Sequence, residues 1–167
     1  MEAIETERLV VRNFLSEDWQ ALQAMIVAYQ ASDSARFEPA WPTSDKEMAD
    51  IAAWFASEDN YLAVFLKAKP ELIGLLAIEP RCNLSGQVRN LDYIFHPAFH
   101  GQGYAFEACR AIIDYLFAQL QIDSILSGTH PENHYSRRLL QKLALKQLSE
   151  SEFALSQAEW RAGLPNF

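Results

Sequence analysis

Tyr93-Ile94-Phe95-His96-Pro97-Ala98-Phe99-His100-Gly101-Gln102-Gly103-Tyr104-Ala105 runs from a β-type apolar segment, through a proline and two glycines, into an apolar run of helical period. Phe106, Cys109, Ile112, Ile113, Leu116, Phe117 and Leu120 carry that period and predict a long helix with one face on a sheet. Ile122 to Thr129 reads as the next strand. Strand, long helix and strand between Gln87 and Thr129 predict a right-handed parallel crossover. Ligands bind such sheets at the carboxyl ends of the parallel strands, here His96 to Ala105 and Thr129 to Ser136. The N-terminus of a helix offers unpaired N–H groups and the positive end of its dipole, and glycines let the backbone close on an anion. A diphosphate suits that loop. A ligand-free tight turn would use the same residue types.

Two familiar phosphate loops do not fit. A Walker loop ends in Gly-Lys-Ser/Thr, which the chain lacks. A dinucleotide fingerprint needs a third glycine where Phe106 stands, and its acidic partner, Asp123, would start the next strand instead of ending it.

Working outward, Leu9 to Phe14 reads as a first strand, and Ser16 opens a helix carrying Trp19, Leu22, Met25, Ile26 and Tyr29. Phe37 to Ser44, with two prolines, is a loop. Ser44 and Glu47 form a capping-box pattern for a second helix reaching about Ser57, with Ile51, Trp54 and Phe55 on its buried face. Tyr61 to Lys67 and Leu72 to Glu79 predict a hairpin, and Gln87 to His96 a third run. Pro131 at the first helical position, with Glu132 in the first turn, precedes a helix through Leu139, Leu140 and Leu143. Leu145 to Leu148 and Glu152 to Leu155 suggest two short final strands. The element order is mixed α/β.

The 167 residues, 50% of them hydrophobic and 22% charged, predict one soluble globular domain over 1–167 that needs no disulfide or metal staple. Cys82 and Cys109 have no metal-ligand spacing and read as free thiols in a reducing compartment. With 14 basic against 22 acidic residues the formal charge is -8, which argues against nonspecific nucleic-acid or anionic-membrane binding and suits an amine-bearing partner. No apolar leader or run of membrane-spanning length is present, so a cytoplasmic location is expected.

These segments resemble the GNAT acyltransferases, and within them the ribosomal-protein N-acetyltransferase (RimJ/RimL-type) branch, over nearly the whole chain. The family's pyrophosphate signature, Arg/Gln-x-x-Gly-x-Gly/Ala, is matched by His100 to Ala105 except at His100. Gly103-Tyr104-Ala105-Phe106-Glu107-Ala108 matches the branch's Gly-Tyr-Ala-x-Glu-Ala, and Thr6-Glu7-Arg8-Leu9-x-x-Arg12 its first strand. Asn133 and Ser136, followed by Leu140-Gln141-Lys142-Leu143-Ala144-Leu145, match its second site segment, with Ala144-Leu145 where the family has Gly-Phe. Phe153 to Trp160 resembles the branch's last strand and closing turn.

The resemblance implies the GNAT acyl-CoA N-acyltransferase fold: a central, mixed, mostly antiparallel sheet with a splayed parallel strand pair and helices on both faces. It implies acetyl-CoA as co-substrate in the splay, with main-chain groups of Ile94, Phe95 and His96 along the pantetheine arm and one N–H there on the thioester carbonyl. The pyrophosphate would rest on N–H groups of Gly101, Gln102, Gly103, Tyr104 and Ala105, beside His100, with Asn133 and Ser136 completing the cofactor set. The implied reaction is direct attack of a neutral primary amine, on a protein N-terminus or a small molecule, in a ternary complex.

The family's usual tyrosine acid falls at Leu140, so Ser136 is the substitute acid, though a Ser there can equally bond its own helix. Asp92 could take the amine proton or attract a cationic acceptor, and water could replace it. Phe37 and Trp41, in the proline-bearing loop, are acceptor-site candidates. His96-Pro97-x-x-His100 and His130-Pro131-x-x-His134 form no helical i, i+4 pair, because each proline puts the first His outside the helix; no metal is expected. A module that keeps the cofactor cleft without turnover remains the alternative, since His100 and Leu140 depart from common family choices. Monomer and homodimer are both open.

Overall fold

A computed structural model describes residues 1–163. In chain order the strands are β1 (Ile4–Glu5), β2 (Leu9–Asn13), β3 (Tyr61–Leu66), β4 (Leu72–Ala77), β5 (Val88–Asn90), β6 (Asp92–Phe95), β7 (Ser124–Gly128), β8 (Lys146–Gln147) and β9 (Glu152–Ser156). The helices are α1 (Trp19–Gln30), α2 (Asp45–Ser57), α3 (Tyr104–Ala118), α4 (His134–Lys142) and α5 (Gln157–Ala162). None of the helices among the described residues is long and apolar enough to cross a membrane.

The chain forms two compact units. The first, Met1–Ala77 with Tyr93–Ala108, holds a sheet in the order β1-β2-β3-β4-β6, antiparallel from β1 to β4. On α1, Leu22, Met25, Ile26 and Tyr29 are buried, and on α2 Met48, Ala52 and Phe55, each a stripe of helical period. They close on Phe14, Tyr61, Ala63, Leu72, Leu75 and Ile94, with the Phe55 and Tyr61 rings stacked at 4.2 Å. The α2 cap is the expected one: Ser44 accepts the Glu47 N–H. Trp54 departs from expectation, for it is 51% exposed. The buried stripe at 48, 52 and 55 leaves position 54 on the flank, where its ring lies 4.9 Å from that of Tyr61. Asp18 is buried but not isolated, since Arg12 grips its carboxylate at 2.7 and 2.9 Å and the Leu15 N–H donates to it at 2.8 Å.

The second unit, Ile78–Asp92 with the described residues from Cys109 onward, holds the order β5-β7-β9-β8. Here β5 and β7 are parallel, and β9 pairs antiparallel with β7 and β8. The expected third run therefore breaks in two at Leu91: its first half pairs with β7, its second half with β4. The break leaves no orphan backbone group at Leu91. Its N–H donates to the Leu126 carbonyl at 2.8 Å, and its carbonyl accepts the buried Ser127 hydroxyl at 2.7 Å. In this unit α3 and α5 meet through stacked Phe117 and Trp160 rings at 5.3 Å, while the Trp160 indole donates to Asp114 at 2.7 Å.

Candidate active site

At the end of β6 the His96 N–H donates to the Ile73 carbonyl of β4 at 2.9 Å, and the His96 carbonyl accepts from Phe99 at 3.0 Å. The N–H and the carbonyl of His96, one of the three residues expected along a pantetheine arm, thus each have a partner inside the protein. The imidazole Nδ1 accepts the Ala98 N–H at 3.1 Å, so His96 offers a ligand its Nε2 instead. Ile94 is buried in the core. His100 Nε2 lies 2.8 Å from the Phe95 carbonyl, and because a carbonyl only accepts, the imidazole donates.

Gly101 and Gly103 have φ of 73° and 84°. That left-handed backbone costs other residues about 1–2 kcal/mol. A Cβ at Gly101 would meet nothing within 4 Å, so this glycine serves backbone shape and open space, not packing. With the loop in this form, the N–H groups of Gly101 to Ala105 donate to no described residue. The Gln102 side chain is occupied with the Ala98 carbonyl at 2.9 Å, and the Tyr104 ring lies 4.3 Å beneath the Arg8 guanidinium. For Gln102 and Tyr104 the groups left for an anion are therefore main-chain N–H groups, at the positive end of α3.

One carboxylate in the first turn, Glu107, would oppose an anion, but it is neutralised in place. It accepts from the Thr6 hydroxyl at 2.5 Å, the Arg8 N–H at 2.8 Å and Arg8 Nε at 2.7 Å. Partial burial pushes its pKa up, yet the donors from Thr6 and Arg8 outweigh this and hold it below the usual carboxylate value. The donor set fits the diphosphate of a coenzyme A thioester.

In the second unit, the expected start of α4 moves. Asn133 is its N-cap and accepts the Ser136 N–H at 3.1 Å, so Pro131 and Glu132 form the preceding turn instead of the first helical positions. Asn is the stronger cap and its carbonyl oxygen reaches the third helical N–H. His130 Nδ1 accepts the Glu132 N–H at 3.2 Å, the same turn chemistry as His96 with Ala98. Ser136 sits half-buried in the first turn, and Leu140 is fully buried, which makes the position of the common tyrosine acid part of the core. The Asp92 carboxylate accepts from the Asn90 amide. Although the residue keeps exposed surface, loss of water around the carboxyl raises its pKa, reinforced by Glu79 and opposed by Asn90 and Arg81.

On the acceptor-candidate loop, Trp41 is half-buried, its N–H donating to Gln30 at 2.9 Å and its ring edge-on to Phe55 at 6.4 Å. Arg36 covers the Phe37 ring at 4.6 Å. Beside them Tyr29, Arg36 and Glu38 line a hollow of about 420 Å³. Burial, with help from Glu38, pushes the Tyr29 hydroxyl up to about 12. Sequence reasoning singled out neither this hollow nor the Arg8–Glu107 link, although the two motifs holding Arg8 and Glu107 were both visible.

Residues 8–146 match the family described as the acetyltransferase (GNAT) domain, and the chain belongs to that family. It is an acyltransferase, an N-acetyltransferase by family. It is 27% identical over 149 residues to a Bacillus subtilis protein described as the uncharacterized N-acetyltransferase YnaD, covering 86% of this chain and 82% of that one. Its fold is similar to a GNAT-family acetyltransferase from Bacillus anthracis, with TM-score 0.84, 20% identity and coverage of 94% and 99%. It is also similar to the ribosomal-protein-S5-alanine acetyltransferase from Vibrio fischeri, with TM-score 0.83, 15% identity and coverage of 96% and 99%.

Proposed function

We propose that this protein moves acetyl from acetyl-CoA to a primary amine, a protein α-amine or that of a small molecule, by direct attack in a ternary complex. The observation that carries the reading is the run of N–H groups from Gly101 to Ala105, unspent among the described residues and ordered by two left-handed glycines ahead of a 15-residue helix. Acetyl-CoA supplies an activated thioester whose thiol, with a pKa near 8.5, leaves with little help from an acid. The loop N–H groups hold its diphosphate, and Phe95, His96 and His100 line the arm. Asn133 orients the first turn of α4, and the Ser136 hydroxyl protonates the departing thiolate.

Asp92 draws in the acceptor and takes the amine proton, for which its raised pKa makes it a better base than an ordinary surface carboxylate. Phe37 and Trp41 face the acceptor's side chain. The negative charge of the chain supports an amine acceptor of either kind, and the similarity to the Vibrio fischeri ribosomal-protein-S5-alanine acetyltransferase supports including protein α-amines among the acceptors.

The test is a melting experiment with acetyl-CoA followed by thiol release over a panel of N-terminal peptides and small amines. At about 100 times the dissociation constant, a ligand adds roughly 2.7 kcal/mol, on the order of 5 to 10 °C at this size. Ser136→Ala is expected to lower turnover without weakening cofactor binding. No shift at millimolar ligand, or binding without transfer to any amine, would overturn the reading.

A further inference from the structure

We infer that Arg8 is a positioning residue for the diphosphate loop, acting through the Gln102–Gly103 peptide; this rests on the cofactor reading above. Arg8 Nη1 donates to the Gln102 carbonyl at 3.1 Å, while Nε donates to Glu107 at 2.7 Å and the guanidinium face lies 4.3 Å above the Tyr104 ring. Three features of one rigid plane are therefore used at once. Glu107 is fixed in turn by the Thr6 hydroxyl and the Arg8 main-chain N–H, so the fork cannot swing away.

The consequence follows from peptide geometry. The Gln102 carbonyl and the Gly103 N–H belong to one planar trans unit and point in opposite directions. Holding the carbonyl toward Arg8 turns the Gly103 N–H away from it, and that N–H donates to no described residue. Gly103, at φ 84°, lacks the side chain that would resist a flip of this peptide. A flip would replace an N–H by a carbonyl oxygen in the anion cradle. Arg8 prevents that exchange, and it also brings a permanent positive charge to a loop whose signature position is His100. The side-chain nitrogen Nη2 lies 3.4 Å from where a Gly103 Cβ would stand, so the guanidinium is seated directly against the loop.

Lysine cannot make this bridge, because a single ammonium does not span a carboxylate and a carbonyl while stacking on a ring. The test uses the full chain as wild type, Arg8→Lys and Arg8→Ala. Binding of coenzyme A is measured by calorimetry, and binding of pantetheine, which lacks the diphosphate, by amide NMR shifts. Both variants are expected to weaken coenzyme A about tenfold or more, as a misaimed binding group does. Pantetheine binding is expected to stay at the wild-type level, and so is the melting temperature of the free protein within about 4 °C, because exposed ion pairs add little stability.

Wild-type affinity in Arg8→Lys would mean that charge, not the bridge, matters and would overturn the inference. Unchanged coenzyme A affinity in both variants would do the same. Parallel loss of coenzyme A and pantetheine would reduce Arg8 to fold support. If the wild type itself fails to bind coenzyme A, the cofactor reading falls first and takes this one with it.

Discussion

Ala144 closes α4 in a left-handed conformation with φ 66°, and replacing it by glycine is expected to stabilise the protein. The Leu145 N–H donates to the Leu140 carbonyl and the Ala144 N–H to the Gln141 carbonyl, both at 3.0 Å, the paired bonds of a Schellman ending. Leu140 and Leu145 are both buried, as the apolar contact of that motif requires. The motif thus holds an alanine where glycine is favoured, and where the GNAT relatives resembled by this segment carry glycine. A left-handed non-glycine residue costs about 1–2 kcal/mol. Glycine returns about 0.4–1 kcal/mol through its freer unfolded chain. Ala144 is exposed, so its methyl group adds no packing to the balance.

The net expectation for Ala144→Gly is a gain of about 0.5–1 kcal/mol, or a rise of about 1–4 °C in Tm for a chain of this size. Urea unfolding should show a higher midpoint at unchanged slope. Ala53→Gly is the matched control, since Ala53 is exposed within α2 and the same chemical change there should cost about 1 kcal/mol. A neutral or destabilising Ala144→Gly alongside a destabilising Ala53→Gly would refute the strain argument.

Gly74→Ala would place a Cβ 2.5 Å from Phe95 Cε1, so overpacking should cost about 1–3 kcal/mol. Phe95→Leu in the same chain should recover part of that loss, and strict additivity of the two changes in a denaturation cycle would show that the ring is not the obstacle. Glu159 accepts from Lys146 Nζ at 2.6 Å and from the Ser156 N–H and hydroxyl at 2.9 and 2.8 Å, which lowers its pKa from 4.5 to about 2. Because the folded value is depressed, the stabilisation is present above pH 4.5 and lost as pH falls toward about 2. Protection of the α5 amides from exchange, measured relative to unstructured peptide at the same pH, should fall over that window in wild type, and Glu159→Gln should remove this pH-dependent loss.

Much of the fold could be read from residues a few positions apart. The Ser44–Glu47 cap, the apolar stripes of α1 and α3, and the β3–β4 hairpin each rest on contacts within one element or across one turn, where period and cap chemistry act directly. The glycine loop was legible for the same reason, since Gly101 and Gly103 announce backbone that other residues resist. Trp54 and the start of α4 were less so: a helical stripe has a flank as well as a centre, and Asn133 competed with Pro131 as the marker of the first turn.

By itself, then, the order of residues determined which segments become helix or strand and where the left-handed glycine loop falls, because those depend on local sterics and spacing. The break of one predicted strand at Leu91, with its halves given to β7 and β4, depends on hydrogen-bond partners distant in the chain. The grip of Arg8 on Glu107, 99 residues away, is of the same kind. Both were decided only by tertiary structure, because a backbone carbonyl or a guanidinium carries no local signal of which remote group will satisfy it.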